Sequence, residues 1–166
     1  WQVQAAARAI AAGYTIDQIR DLLDRVWKAS ESVFTLPDLK YLVHGGRISH
    51  LGGLVASTLG IKPIIGVERE TGKYETRGRI RTFKRALKHI TNVIGDTIPE
   101  GSNVIIQPLH ADNTSDLNQM LEHIRKKYTI TELLPTVGIA PVLGAHTGSG
   151  LVGCAYAAAD DYPELP

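Results

Sequence analysis

LKYLVHGGRISHLGGLVASTLGIKPIIG, residues 39–66, is the stretch around which the rest of the chain is arranged. Leu39, Leu42 and Val43 make a short helical stripe that stops at Gly45 and Gly46, because glycine tolerates the left-handed backbone of a helix end. Ser49 can cap a second helix, whose apolar positions Leu51, Leu54, Val55, Thr58 and Leu59 recur at helical spacing. The other side of that helix is small: Gly52, Gly53, Ala56 and Gly60. Glycine inside a helix costs up to about 1 kcal/mol relative to alanine, so two in succession imply close approach by another backbone or by a ligand. Residues 61–67 then read as a buried strand with Pro63 near its start.

Working outward, residues 1–12 predict an alanine-rich helix with Val3, Ala7 and Ile10 on one stripe and Gly13 as its stop. Thr15 and Gln18 form a capping-box pattern ahead of an amphipathic helix carrying Ile19, Leu22, Leu23, Val26 and Trp27. Residues 32–36 read as a strand, and Thr35 with Asp38 as the cap of the next helix. On the other side, Thr71-Gly72 signals a hairpin. Residues 73–81 alternate, with Lys73, Glu75, Arg77, Arg79 and Arg81 on one face and Tyr74, Thr76, Gly78 and Ile80 on the other, which predicts a strand with one wet, basic face.

A helix with Phe83, Ala86, Leu87, Ile90 and Ile94 inward follows, then a strand at 104–109 and a helix capped by Asn113. Residues 129–137 predict one further strand, Pro141 starts a short turn or helix leading into 144–150, and 151–157 form the last strand before a frayed polar tail. The pattern predicts an α/β fold built on a mixed, largely antiparallel sheet with helices packed on it.

Composition bounds the function classes. Hydrophobic content of 43% and charged content of 21% are ordinary for a soluble globular chain, and a formal charge of +1 favours neither nucleic acid nor an acidic tail. The lone Cys154 excludes an internal disulfide framework and suits a reducing cytoplasm. No apolar run reaches the roughly eighteen residues of a membrane span. His44, His50, His89, His110, His123 and His146 are scattered, with no metal-ligand spacing. No local Ser-His-acid or Cys-His pattern marks an enzyme.

Two stretches carry binding chemistry. Residues 144–150, GAHTGSG, hold three glycines with Thr147, Ser149 and His146. They make either a tight turn or a loop that brings backbone N–H groups and hydroxyls to an anion, though no nucleotide fingerprint fits. Residues 73–88 hold seven basic side chains against Glu75 alone. They form either a solvated face or a docking surface for nucleic acid or an acidic protein.

The ordered set GGRIS (45–49), GIKPII (60–65), RGRIRTFKRAL (77–87) and GAHTGSG (144–150) resembles the C-terminal part of the DegV family of bacterial fatty-acid-binding proteins. The resemblance spans essentially the whole chain, and family members are longer at the N-terminus by about 110–120 residues. It implies that residues 1–30 complete a missing N-terminal α/β domain and that 31–166 are the lipid-binding domain. It implies a cytoplasmic protein that is no enzyme and needs no cofactor. Such a protein holds a long-chain fatty acid and presents the carboxylate to a separate fatty acid kinase.

By the same resemblance His146, Thr147 and Gly148 belong to the carboxylate network, with Ser149 standing where the family usually has proline. Gly53 and Ala56 are candidates for a tunnel wall, with helix-on-sheet packing as the competing explanation. Arg47 and Arg79 match positions that dock the kinase. The rival readings are a small-molecule kinase-like phosphate-binding protein using 144–150, and a nucleic-acid module using 73–88.

Overall fold

The computed structural model describes residues 1–46 and 60–166. Two helices open the chain, α1 (Gln2–Ala11) and α2 (Ile16–Ala29). The expected capping box at α2 is present: Thr15 Oγ1 accepts from Gln18 N–H, and Gln18 Oε1 accepts from Thr15 N–H at 2.8 Å. Then come β1 (Ser30–Thr35), α3 (Lys40–His44), β2 (Lys62–Val67), β3 (Tyr74–Ile80), α4 (Phe83–Gly95) and β4 (Asn103–His110). The chain continues with α5 (Thr114–Arg125), β5 (Thr129–Leu133), β6 (Val137–Gly138), α6 (Pro141–Thr147) and β7 (Val152–Ala158).

The sheet runs β3-β2-β1-β7-β4-β5, with β6 also pairing β4. All pairs are antiparallel except β4–β5 and β4–β6. The α/β fold on a mixed, largely antiparallel sheet is therefore the observed one, with its parallel part confined to one edge.

Side chains alternate across a strand, so each register pair lies on one face. Val33, Ile64, Val152, Cys154 and Tyr156 share a face with Val104 and Ile106, and α4 and α5 cover it with Ala86, Leu87, Ile90, Ile94, Leu117, Met120 and Ile124. Phe34 pairs with Ile65 and Gly153 on the opposite face. There Phe34, Leu36, Leu42, Ile65 and Leu151 build a second, smaller core beneath α3. At the other end of that face Trp1 Nε1–H donates to Gln107 Oε1 at 2.7 Å, fastening α1 to the sheet.

Five expectations change. The stripe Val3–Ala7–Ile10 is not the packed side of α1: Val3 is 84% and Ile10 65% exposed, while Ala5 and Ala9 are buried against Leu22 and Val26. The C-terminal tail is not frayed, since Tyr162 meets Trp1 edge-on at 5.3 Å and Leu165 joins the same cluster. Thr35 caps no helix; it is the last residue of β1, fully buried, and Asp38 accepts the Lys40 N–H instead. The single strand at 129–137 is two, because the chain leaves β4 around Pro135, which has no N–H to give, and returns farther along it as β6.

The fifth change concerns the basic strand. Ile64 pairs with Gly78 but Ile65 with Thr76, so Arg77 is the extra residue of a β-bulge. Tyr74 and Thr76 face the α3 side, whereas Gly78 and Ile80 face α4. Arg79, paired with Pro63, consequently shares the α3 face with Thr76, and Arg77 lies over Gly66 in an ion pair with Glu75. The basic side chains of 73–81 do not form one face.

Candidate functional site

The α3 side of the sheet carries the small apolar core of Phe34, Leu36, Leu42, Ile65 and Leu151 and two buried polar atoms without partners, on His146 and Thr76. Leu42 of α3 is buried in that core, and Gly45 at the end of the same helix lies against the imidazole of His146. A Cβ at Gly45 would overlap His146 Nδ1. Residues three apart on a helix are about one turn apart, so the ring sits about one turn from Leu42 and the core it joins. His146 Nδ1 is buried and has no hydrogen-bond partner. Thr76 Oγ1, on the same sheet face, and Thr35 Oγ1, on the other, are in the same condition. A buried polar atom left unpaired costs about 1–3 kcal/mol, which is why such atoms point to ligand sites.

The segment 144–150 is less of a loop than its glycines suggest. Helix α6 runs through Thr147, and the left-handed residues are Gly148 (φ 74°) and Gly150 (φ 89°). Thr147 is buried, and its hydroxyl donates to Leu143 O at 3.0 Å, so toward a ligand it offers lone pairs and no proton. Gly148 N–H donates to Gly144 O at 2.8 Å and Gly150 N–H to Ala111 O at 2.7 Å. Both amides are thus spent inside the fold and are not free to hold a phosphate. Gly148 has a second role: its Cα rests on the Tyr41 ring, where a side chain would collide. Gly150 rests likewise on Pro37.

Of the residues singled out from sequence, His146, Thr147 and Gly148 come together against α3, and Arg79 reaches the same sheet face. Arg47, Gly53 and Ala56 lie outside the described residues. Sequence reasoning missed Gly45 and Tyr41 as the seat of the His146 segment, and it missed Thr76. Gly45 was legible only as a helix stop; nothing local pairs it with His146.

Other features point elsewhere. A cleft of about 660 Å³ lies at the opposite end of the sheet, lined by Arg25, Lys28, Glu31, Arg69, Tyr156 and Asp161 among others. Its buried groups are already satisfied: Glu31 is held by Arg69 at 3.0 Å and by the Tyr156 hydroxyl at 3.0 Å. Burial, then the Glu31 charge, pushes the Tyr156 phenol upward, so it stays a neutral donor. That network fastens the β2–β3 turn to the α2–β1 junction, and its charged lining does not suit an apolar ligand. Among the described residues, no three His, Cys, Asp or Glu side chains converge as a metal site would require. Among them too, no helix is long and apolar enough to cross a membrane.

Residues 1–159 match the family described as "Uncharacterised protein, DegV family". The chain belongs to the DegV family. A DegV domain-containing protein of Deinococcus radiodurans is 29% identical over 157 residues, covering 95% of this chain and 54% of that relative. Among solved structures, a DegV lipid binding protein from Thermotoga maritima superposes with a TM-score of 0.80 at 25% identity, over 95% of this chain and 54% of its own. A second Thermotoga maritima protein, reported to reveal a fatty acid binding function, superposes with a TM-score of 0.78 at 25% identity, over 95% and 53%. The chain thus spans about half the length of the DegV relatives it matches.

Proposed function

We propose that this chain is the second half of a cytoplasmic DegV-type protein that holds a long-chain fatty acid and presents its carboxylate to a separate fatty acid kinase. The observation that carries the reading is His146 Nδ1, buried, unpartnered and seated on Gly45, about one helical turn from an apolar core. A fatty acid asks for that combination. At about 0.8 kcal/mol per buried CH₂, a dozen methylenes supply on the order of 10 kcal/mol, so the polar groups need only orient the headgroup. Imidazole with a proton on Nδ1 donates to a carboxylate oxygen, and Thr76 Oγ1 offers a hydroxyl on the same face. Support also comes from the Thermotoga maritima protein with a fatty acid binding function, which shares the fold.

In this reading the protein does no covalent chemistry itself. Gly148 acts by letting the chain pass over Tyr41, and Thr147 by closing α6. Gly53 and Ala56 line the acyl tunnel, and Arg47 with Arg79 dock the kinase. Residues 1–30 complete the domain formed by the first half of the longer protein, and 31–166 make the lipid-binding domain.

The test is a titration of the full-length protein with stearic acid, beside mass spectrometry of the lipid that co-purifies with it. His146→Ala should lower affinity about five- to a hundredfold, the cost of losing one buried hydrogen bond, and leave acyl burial intact. Acyl-phosphate formation by added kinase and ATP should fall further, because a displaced acceptor loses rate steeply. Wild-type affinity and turnover in His146→Ala would remove the carboxylate role. Failure of the wild-type protein to bind any acyl chain, with salt-sensitive retention of nucleic acid instead, would move the function to the basic side chains around α4.

A further inference from the structure

The segment that carries His146 is gripped from a third side, by the β4–α5 loop. Asp112 takes φ 52°, the one non-glycine residue with positive φ among the described residues. This turn aims the Asn113 N–H at His110 Nδ1, 3.1 Å away, which makes that nitrogen an acceptor and places the ring proton on Nε2. Asn113 then works in two directions. Its Oδ1 accepts from Asp116 N–H at 3.3 Å and caps α5. Its Nδ2 donates to Asp116 Oδ2 at 2.9 Å and to Gly150 O at 3.2 Å. Two backbone bonds flank this tie, Gly150 N–H to Ala111 O at 2.7 Å and Ala111 N–H to Leu151 O at 2.9 Å.

We propose that Asn113 is a positioning residue for His146, clasping the α6–β7 loop to the start of α5, and that His110 holds Asn113 in the required orientation. This rests on the reading of His146 as the carboxylate contact. Capping alone does not require an amide, since serine caps a helix equally well through its one oxygen. The amide supplies two donors, and both are used. The loop needs the tie because Gly148 and Gly150, both left-handed, give the exit from His146 little stiffness of its own. A ring that drifts by about an ångström no longer holds a headgroup in reacting geometry.

Asn113→Ser in the full-length protein separates the two roles, since it keeps the cap and removes the tie. Three signals decide it: amide exchange along α5, amide exchange at Gly150, and the ligand-free proton resonance of the His146 ring. With stearic acid labelled with carbon-13 at its carboxyl carbon, the bound carboxyl resonance is a fourth. The clasp predicts unchanged protection in α5, Gly150 exchange roughly five- to tenfold faster, and displaced His146 and carboxyl resonances. His110→Asn, whose Oδ1 stands where Nδ1 stood, should behave as wild type, and His110→Leu as Asn113→Ser.

An unmoved His146 resonance overturns the proposal, and so does loss of α5 protection equal to that at Gly150, which would make Asn113 a cap and nothing more. If the wild-type protein binds no stearic acid, the fatty-acid reading fails, while the His146 and Gly150 signals still decide the clasp.

Discussion

Gly45 shows how one residue can be legible for the wrong reason. Its sequence context marks a helix stop, and it does stop α3, yet its φ of −76° suits any residue. What excludes a side chain there is the His146 ring. Gly45→Ala therefore leaves the backbone unstrained and pushes the imidazole off its seat. It should cost about 1–3 kcal/mol of stability, as overpacking does, and weaken stearic acid binding together with it. Shortening the ring should relieve the clash, so Gly45→Ala should cost markedly less in a His146→Ala background. A double-mutant cycle on urea midpoints checks this, and strict additivity would show that the two residues do not press on each other.

Strand β7 shows the same limit at the scale of an element. Its apolar run predicts burial, and the structure supplies the consequence by flanking it with β1 and β4 and covering one face with α4 and α5. Cys154 on that covered face is fully buried, and desolvation pushes its thiol from 9.0 up to about 12. The unfolded chain releases this proton first as pH rises. The contribution to stability is thus complete below about pH 9 and declines as pH climbs from there toward about 12. Urea midpoints of wild type and Cys154→Ala should keep a constant offset up to about pH 8 and converge above about pH 9. An offset that stays constant to about pH 11 would mean that water reaches the thiol.

For the molecule as a whole, the exposed side of the first two helices is the feature to explain. Val3, Ile10 and Ile16 are 84%, 65% and 65% exposed, and Tyr14 and Trp27 38% each. The relatives are nearly twice as long as this chain. If the first half of a longer protein packs here, hydroxyl-radical labelling of Ile10, Tyr14 and Trp27 should be strong in the 166-residue chain and weak in the full-length protein. Equal labelling in both would detach that half from α1 and α2. The fold class was legible at this scale because helices and strands announce themselves by period and the hairpin by Thr71-Gly72, whose Gly72 has φ 66°.

What the sequence determined alone was local: the capping box at Thr15, the cap at Asn113, the glycine stops at Gly13 and Gly46, and the buried stripe of α4. Each depends on neighbours within a turn or two, so their positions in the chain specify them. What only the tertiary structure decided was how distant segments meet. The bulge at Arg77 moved Arg79 to the α3 face because β3 must follow the register of β2. The tail packed because Trp1 and the α1–α2 pair offered Tyr162 and Leu165 an apolar seat. His146 meets α3 because Gly45, remote in sequence, has no side chain to hold the ring away. Such contacts are set by packing and backbone approach between elements, and no local pattern of residue types records them.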